Sequence, residues 1–384
     1  MRTTDYAVVV PARDAAATLG ACLEALADQA DPVPEVIVVD DGSSDATGAI
    51  AEAWARDVDP ARVGRARVIR QAPRGAAAAR NAGFRAARAP IVLFTDADCR
   101  PLPDWSRHLV AALLDPGVAA AMGQLASDQR ELVARLVQAE YADKQAATDA
   151  RGELAFADTA TAAFRTDVLH AIGGFDEGMA AVEDTELAFR LAAAGHRMAF
   201  VRAAVVRHQH PATWAAYARR KLRFGRWGAH AYLAHPRRIA GDGRTPGAMR
   251  LQLGLGALVL ASAPVAAALS LVAIAADRPA SPPGREAAAL ASLPLASTVL
   301  ASTALLALIA LVLASIPQAV RTARRGHGAD VALATPLLVL LRTFALLVGL
   351  GIGAAERWAG RRRLPRPAPN ALVAPLTGRY DDVR

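Results

Sequence analysis

The sequence contains little cysteine, and this scarcity excludes several kinds of site. Cys22 and Cys99 are the two cysteines among 384 residues, too few for a disulfide framework and without the spacing of a zinc site. Both therefore indicate a reducing, cytoplasmic environment. A signal peptide is also missing, since the apolar run at residues 6–10 is short and is followed directly by Pro11. We expect the N-terminal part to stay in the cytoplasm.

Lysine is scarce as well, although the chain carries a formal net charge of +8. Almost all cations are arginine, and lysine occurs at positions 144 and 221 alone. With the abundant alanine, this indicates a compositional bias, and no nucleic-acid-binding motif accompanies the charge, so we expect no nucleic-acid partner. A basic cluster ahead of the first long apolar segment instead favours an anionic membrane surface. Its members are Arg219, Arg220, Lys221, Arg223 and Arg226.

Charges are nearly absent from three stretches after residue 250, at 251–276, 289–316 and 331–355. Each is long enough to cross a bilayer. The third contains Pro336 and Arg342, and a third crossing would place the basic residues that follow it outside, against the positive-inside rule. We expect two or three transmembrane helices. The pattern slightly favours three; the alternative is a third segment that is re-entrant or packs at the cytoplasmic face.

Short β-branched runs alternate with helical patterns in the first hundred residues. Strands are predicted at 7–10, 36–39, 63–69 and 91–94, with helices between them at 15–27, 46–56 and 76–87. This alternation is typical of βαβ units around a mostly parallel sheet. In such sheets, ligands bind at the carboxyl ends of the strands.

Further helices are predicted near 105–114, from Glu183 to Gly195, and over 212–235. The last is aromatic and basic. It would lie in the membrane interface or, equally well on this pattern, pack on the domain.

Acidic residues follow two of the predicted strands. Asp96 and Asp98 form a D-x-D sequence that can bind one hard cation such as Mg²⁺ or Mn²⁺; the alternative is a solvated turn. Asp41 could accept a hydrogen bond from a nucleobase or ribose; the alternative is an Asx turn in which Gly42 has positive φ.

Two other polar groups lie further along the chain. Glu183 and Asp184 begin a helix, where a carboxylate could act as a general base or could simply complement the helix dipole. His208 and His210 end the strand after that helix. There a histidine could approach a metal, or both could belong to an ordinary polar loop.

The order of the motifs is more specific than any one of them. The chain reads VVVPAR, EVIVVDDGSSD, RGAAAARNAG, FTDADCRP, GGFDE and EDTELAFRLAAAG. Taken together, these blocks resemble the family 2 glycosyltransferases of the GT-A fold over about residues 5–235. The resemblance implies an α/β GT-A domain with a mostly parallel sheet flanked by helices, a nucleotide-diphospho-sugar donor, a divalent metal (Mg²⁺ or Mn²⁺) and inverting transfer.

The resemblance also implies a role for each matched position. The nucleotide and diphosphate pocket would include Pro11, Ala12, Arg13, Asp41, Arg74, Gly75, Arg80 and Asn81. Asp98 would bind the metal, Asp96 would lie near the ribose or the metal, and His208 is a further candidate ligand. Asp184 would be the general base with Glu183 beside it. The cleft for sugar and acceptor would be shaped by Gly173, Gly174 and Phe175.

Two departures from the family pattern limit what it implies. Asp14-Ala15 replaces the pairs common in relatives, which leaves the nucleotide open. The Gln-x-x-Arg-Trp motif of processive members is replaced by residues 220–225, so we expect transfer of a single sugar. The acceptor would be a lipid-linked or membrane-proximal glycan in cell-envelope or exopolysaccharide synthesis.

Three alternatives remain. A polyprenol-phosphate sugar synthase differs in its acceptor. A nucleotidyltransferase would need a Gly- and Lys-rich loop that Pro11–Thr18 does not offer. A membrane assembly or transport protein without catalysis would be favoured by loss of Asp98 or Asp184, which are present.

We expect four regions: a GT-A domain with its interfacial helix (1–235), a linker (236–250), an all-α membrane region (251–355) and a basic, Pro-rich disordered tail (356–384). The protein would be a multi-pass inner-membrane protein with a cytoplasmic catalytic domain.

Overall fold

A computed structural model describes residues 5–149, 158–240, 245–276 and 293–360. Within these ranges the N-terminal part contains one mixed sheet of eight strands. The strands are β1 (Tyr6–Ala12), β2 (Val33–Asp40), β3 (Val63–Arg70), β4 (Ile91–Phe94), β5 (Cys99–Pro101), β6 (Val118–Ala126), β7 (Ala162–Arg165) and β8 (Arg197–His208).

Helices surround this sheet and continue beyond it. The first nine are α1 (Leu19–Ala27), α2 (Thr47–Asp57), α3 (Ala76–Ala86), α4 (Trp105–Ala112), α5 (Leu132–Asp149), α6 (Thr166–Ala171), α7 (Glu183–Ala193), α8 (Trp214–Ala234) and α9 (Arg237–Ala240). The C-terminal helices are α10 (Gly247–Ala276), α11 (Leu293–Leu313), α12 (Ile316–Arg324) and α13 (Ala329–Trp358).

The strand order is β3-β2-β1-β4-β7-β6-β8-β5, and β3, β2, β1 and β4 are mutually parallel. Strand β1 is buried on both faces: Val8 and Val10 pack in one core with α1, while Val9 packs in the other core with α3. This two-sided burial explains the uninterrupted apolar runs of the central strands. The predicted mostly parallel α/β sheet of GT-A type is confirmed.

The second half of the sheet was harder to predict. Strand β7 is antiparallel to both β4 and β6, whereas β8 is parallel to β6 and antiparallel to β5. Four of the nine residues of β6 are alanine, which favours helix over strand. Pairing with β7 and β8 overrides that preference.

Three segments are long and apolar enough to cross a membrane: Gly247–Ile274, Leu293–Arg324 and Ala329–Trp358. Helices α10 and α11 lie against one another. The predicted linker contains α9, and α10 begins inside it at Gly247. Residues 241–244 of that linker and residues 361–384 of the predicted tail lie outside the described residues.

Helix α13 runs along α8 with very close backbone contact. A Cβ added at Gly349 would lie 2.8 Å from the backbone nitrogen of Arg226 and 3.0 Å from the Cα of Gly225. Tyr217 of α8 is buried in an apolar cluster with residues of α5 and α13. Trp227 is buried on the same helix. The helix predicted at 212–235 therefore packs on the domain.

A buried charged cluster joins these helices. The Glu140 carboxylate of α5 lies 2.8 Å from Lys221 Nζ of α8, 2.9 Å from Lys144 Nζ and 3.7 Å from Arg342 Nη1 of α13. Arg342 also donates a hydrogen bond to Gln252 of α10. The arginine inside the third apolar segment is thus paired with protein groups.

Candidate active site

Asp41 lies just after β2, at the carboxyl edge of the sheet, and is buried. Its carboxylate accepts hydrogen bonds from the backbone N–H of Arg74 (2.8 Å), the backbone N–H of Gly75 (2.7 Å) and the side chain of Gln71 (2.6 Å). Gly75 has φ +96°, a conformation that favours glycine. Asp41 therefore fixes the loop between β3 and α3, while its contact with a nucleobase remains a prediction.

The end of β1 lies beside the end of β2. Pro11 and Ala12 pair with Val39 and Asp40, and Arg13 Nη1 lies 3.9 Å from the Asp41 carboxylate. The structure thus brings Pro11, Ala12 and Arg13 together with Asp41, and their role in a nucleotide pocket stays a prediction.

Arg80 of α3 connects two parts of the predicted site. Its Nη2 donates to Asp96 Oδ1 at 2.7 Å, and its Nη1 pairs with the Glu183 carboxylate. Burial opposes its charge, but Asp96 and Glu183 hold the pKa of Arg80 above its ordinary value. One guanidinium therefore spans the distance between the D-x-D turn and the start of α7.

Glu183 is buried in this ion pair, whereas Asp184 is half-buried. Asp184 Oδ1 accepts hydrogen bonds from Thr185 N (2.6 Å) and Thr185 Oγ1 (3.2 Å). Val182, immediately before the helix, has φ +57°, which is strained for a β-branched residue. Of the two carboxylates, Asp184 is the more exposed, and its role as the general base remains a prediction.

Asp98, Cys99 and His208 form a cluster whose potential ligand atoms lie within 4.8 Å of one another. Asp98 Oδ2 is 3.8 Å from His208 Nε2. Burial raises the pKa of Asp98, His208 lowers it, and Asp96 raises it further. Burial and the nearby Asp96 and Asp98 raise the pKa of the Cys99 thiol well above its ordinary value. The Asp98 carboxylate supplies the oxygen ligands that Mg²⁺ and Mn²⁺ prefer, and the His208 imidazole can complete such a set.

A hydrogen-bond relay orients the ring of His208. Gln138 donates through Nε2 to the Leu125 carbonyl, so its Oε1 accepts from His210 Nε2 (2.9 Å). Burial lowers the pKa of His210 to about 3, so His210 is neutral and its Nδ1 must accept the hydrogen bond from His208 Nδ1 (3.2 Å). The relay therefore holds His208 Nδ1, and His208 Nε2 faces Asp98, as in a metal-binding histidine whose second ring nitrogen is hydrogen-bonded. Sequence reasoning missed Gln138, because nothing in the sequence connects it with His210.

Two predicted residues have structural contacts instead. Asn81 exchanges hydrogen bonds with the backbone of Phe175 (both 2.9 Å) and is buried. Gly174 has φ +72°, and a Cβ there would lie 2.8 Å from Phe84. Both positions shape the loop before α7, so the prediction that Asn81 approaches the diphosphate gains no support from its contacts. Arg74, exposed in the loop before α3, pairs with Glu177 of the loop before α7 (2.6 Å).

Arg220 of α8 lies near this centre. It donates to the Tyr141 hydroxyl at 3.3 Å. Tyr141, Asp158 and Asp98 each raise its pKa, while burial lowers it. One member of the basic cluster therefore faces the site, whereas Arg219 and Arg223 are exposed.

Comparison with known proteins agrees with this architecture. The chain is 29% identical over 248 residues to a pre-mycofactocin glycosyltransferase of Mycobacterium tuberculosis, covering 62% of this chain and 49% of that protein. It is 28% identical over 238 residues to the probable glycosyltransferase YdaM of Bacillus subtilis, covering 59% of this chain and 56% of that protein. The chain thus spans about half the length of these relatives.

A mannosyltransferase from Pyrobaculum calidifontis, solved in complex with GDP-Man and Mn²⁺, has a similar fold. The TM-score is 0.56 at 22% identity, over 93% of this chain and 88% of that one. The family model described as glycosyltransferase like family 2 matches residues 4–227. Because this match covers more than half of the chain, the protein belongs to glycosyltransferase family 2.

Proposed function

We propose that this enzyme transfers one sugar, with inversion, from a nucleotide-diphospho-sugar to an acceptor held at the cytoplasmic face of the inner membrane. The observation that carries this proposal is the position of Arg80. It bonds Asp96, two residues before Asp98, and Glu183, one residue before Asp184. In this proposal, the leaving-group site and the base lie on opposite sides of the Arg80 side chain.

In the proposed reaction, an acceptor hydroxyl oxygen attacks the anomeric carbon of the donor. The bond from that carbon to the diphosphate oxygen breaks, and the nucleoside diphosphate leaves with the bonding electrons. The hydroxyl proton passes to Asp184. Thr185 orients the Asp184 carboxylate, and Glu183 acts as a positioning residue through Arg80.

Asp98 and His208, with Asp96 beside them, would hold the divalent cation. When bound, Mg²⁺ or Mn²⁺ supplies positive charge that stabilises the leaving diphosphate. The chain's own contribution is the relay from Gln138, which keeps His208 Nε2 directed at the site. The fold neighbour from Pyrobaculum was solved with GDP-Man and Mn²⁺, which supports GDP-mannose with Mn²⁺ as the first donor to test.

We further propose that α10 and α11 cross the membrane as a hairpin and that α13 lies along the membrane surface. Gln252 near the start of α10 donates to the Ala314 carbonyl just after α11 at 3.0 Å, so both ends of the hairpin meet. Arg321 of α12 pairs with Asp143 of the catalytic domain at 3.2 Å. The chain therefore returns to the side from which it left.

Contacts of α13 support the same topology. From Val331 to Glu356 this helix touches α5 or α8, over a length of about 38 Å. That exceeds the roughly 30 Å hydrocarbon core, so a crossing α13 would carry the catalytic domain into the lipid. With two crossings, the basic residues after α13 lie on the cytoplasmic side and the positive-inside rule is satisfied.

This topology can be tested by site-directed labelling in membrane vesicles. Both natural cysteines are buried and Trp358 is exposed, so Trp358→Cys in a Cys22→Ala, Cys99→Ala background provides one exposed thiol. Labelling from the cytoplasmic face is expected, and labelling confined to the opposite face would refute the two-span arrangement.

The catalytic proposal is tested with Asp184→Asn, using Asp57→Asn, an exposed carboxylate of α2, as the matched control. Release of nucleoside diphosphate from GDP-mannose, UDP- and dTDP-sugars is measured with Mg²⁺, Mn²⁺ or EDTA. Asp184→Asn should retain donor binding and lose transfer by about 10²–10⁴-fold. Full activity of that variant would reject Asp184 as the base.

Of the alternatives, a polyprenol-phosphate sugar synthase shares this chemistry and differs in acceptor. A nucleotidyltransferase is less consistent with the loop after β1. Asp14 in that loop accepts hydrogen bonds from Ser44 N (2.8 Å) and Ser44 Oγ (2.9 Å). These bonds hold the loop against the segment that follows β2.

A further inference from the structure

An open cavity of about 110 Å³ lies between the catalytic domain and the C-terminal helices. Val182 and Thr185 form its wall at the start of α7, and Gly225, Gly228 and Tyr232 of α8 form a second wall. This volume has room for several water-sized groups. Its lining includes Thr185, the residue that follows the proposed base, and residues of α10 and α13.

One wall of the cavity is cationic. Lys144 and Lys221, the two lysines of the sequence, both line it. They converge on the Glu140 carboxylate together with Arg342. Three cations around one buried carboxylate form a site of positive charge, and the low local dielectric strengthens its attraction for an anion.

Lys221 shows the effect of this environment. It is 6% exposed, and burial lowers its pKa to about 7, with further lowering by Lys144 and Arg342 and an opposing effect of Glu140. An anion beside Lys221 would favour its charged form. The lysine is therefore a group whose protonation would increase when such a ligand binds.

The opposite wall is apolar and comes from helices that meet the membrane. Met249 and Leu253 of α10 line it with Leu346 and Leu350 of α13. Both helices are long and apolar enough to span a bilayer. A ligand with an anionic head and a hydrocarbon tail matches both walls, whereas a water-soluble sugar phosphate would match one.

The cavity also adjoins a residue that contacts the proposed base. Thr185 lines it, and the same Thr185 donates through N and Oγ1 to the Asp184 carboxylate. A headgroup bound at Lys144 and Lys221 would therefore place the group next to it near Asp184.

We propose that this cavity binds the phosphate headgroup and the first hydrocarbon units of a membrane lipid, which serves as the acceptor or carries it. This inference rests on the proposed function, because it assigns the acceptor side of that reaction. The lysines bind the phosphate, and the apolar wall receives the chain that leads into the bilayer.

Gly228 offers a direct test. A Cβ added there would meet nothing closer than the Tyr232 ring at 3.9 Å, so Gly228→Ala fits and Gly228→Leu fills the cavity. Gly254 on α10 is exposed, and a Cβ there has nothing within 4 Å. Gly254→Leu is therefore the matched control, since it adds the same side chain to an apolar helix outside the cavity.

Equilibrium binding to the purified full-length protein in detergent is measured with three probes: farnesyl phosphate, farnesol and inorganic phosphate. Farnesyl phosphate should bind at least about tenfold more tightly than either other probe. Gly228→Leu should weaken that binding by about tenfold or more, Gly228→Ala less, and Gly254→Leu not at all. Thermal unfolding of each variant separates loss of binding from loss of folding.

A second arm tests the headgroup site. Lys144→Met should weaken the binding of farnesyl phosphate by about 10- to 100-fold, because a charge-assisted hydrogen bond to the phosphate is lost. The binding of farnesol, which has no phosphate, should not change. Arg219→Met removes an exposed cation from α8 and should leave both affinities unchanged. Equal binding of farnesol and farnesyl phosphate, or binding unaffected by Gly228→Leu and Lys144→Met, would overturn the inference.

The two proposals fail in different ways. If nucleoside diphosphate release persists with a water-soluble acceptor while farnesyl phosphate does not bind, the cavity inference is wrong and the transferase proposal stands. If farnesyl phosphate binds as described while no donor is turned over, the inference is supported and the proposed reaction is wrong.

Discussion

We predict that Gly349→Ala destabilises the protein by forcing α13 away from α8. A Cβ at this position would lie 2.8 Å from the backbone nitrogen of Arg226 and 3.0 Å from the Cα of Gly225, and it would overlap the carbonyl oxygen of Leu222. Favourable carbon contacts lie at about 3.5–4.0 Å. The two helices would therefore have to separate by roughly 0.5–1 Å.

The expected cost follows from two opposing effects. Adding a methyl group to a tightly packed interface typically costs about 1–3 kcal/mol. Alanine is favoured over glycine inside a helix by about 1 kcal/mol, which offsets part of that cost. Together these effects leave a net loss of up to about 2 kcal/mol. For a domain of this size, each kcal/mol lowers Tm by roughly 2–4 °C.

Gly351→Ala is the matched control, because Gly351 lies on the same helix, is exposed, and has nothing within 4 Å of an added Cβ. It should leave Tm unchanged or raise it. Thermal unfolding is followed by near-ultraviolet circular dichroism of detergent-purified protein, which reports the tertiary packing of the catalytic domain. If both variants unfold at the same temperature, α13 is not part of that cooperative unit and the packing argument fails.

Three further results are expected. Although burial opposes its ionisation, neighbouring cations hold the pKa of Glu140 well below its ordinary value. Glu140→Gln should therefore lower the free energy of unfolding at pH 7 by about 3 kcal/mol, as measured by chemical denaturation. The difference from the unsubstituted protein should shrink as the pH falls below about 4.5, because the carboxylate then loses its stabilising charge. Gln138→Leu should raise the Mn²⁺ concentration for half-maximal activity by about 10- to 100-fold. Gln145→Leu is the control, because Gln145 also donates a hydrogen bond to the Leu125 carbonyl, and it should leave that concentration unchanged. Equal Mn²⁺ titrations of the two variants would reject the relay. Glu183→Gln should lower both Tm and kcat, because it breaks the buried ion pair with Arg80. Asp184→Asn should lower kcat alone. Identical effects of the two substitutions on Tm would contradict a positioning role for Glu183 and a catalytic role for Asp184.

The central strands and the acidic ends of the sheet could be predicted because their physical causes are local. A strand buried on both faces needs a continuous apolar run, and β1, β2 and β4 have one. The turns that follow must leave the sheet, so Asp41 and Asp98 lie at its carboxyl edge as expected.

The remaining features depend on contacts between distant residues. Gln138 and His210 are 72 positions apart, and no periodic pattern links α5 to β8. The alanines of β6 carry no strand preference of their own. Hydropathy likewise cannot show whether an apolar helix meets lipid or protein; the close contact of Gly349 with α8 distinguishes the two for α13.

The packing of α13 on α8 has a consequence for biosynthesis. The apolar faces around Val133 and Tyr217 are covered by residues of α13, which the ribosome makes after both helices of the hairpin. A nascent chain that has completed the sheet must therefore wait, with this surface uncovered, until about 120 more residues have been translated. During that interval the surface is open to chaperones and to the bilayer. Expression of residues 1–235 alone should accordingly give aggregation-prone protein, and co-expression of the missing helix should restore solubility.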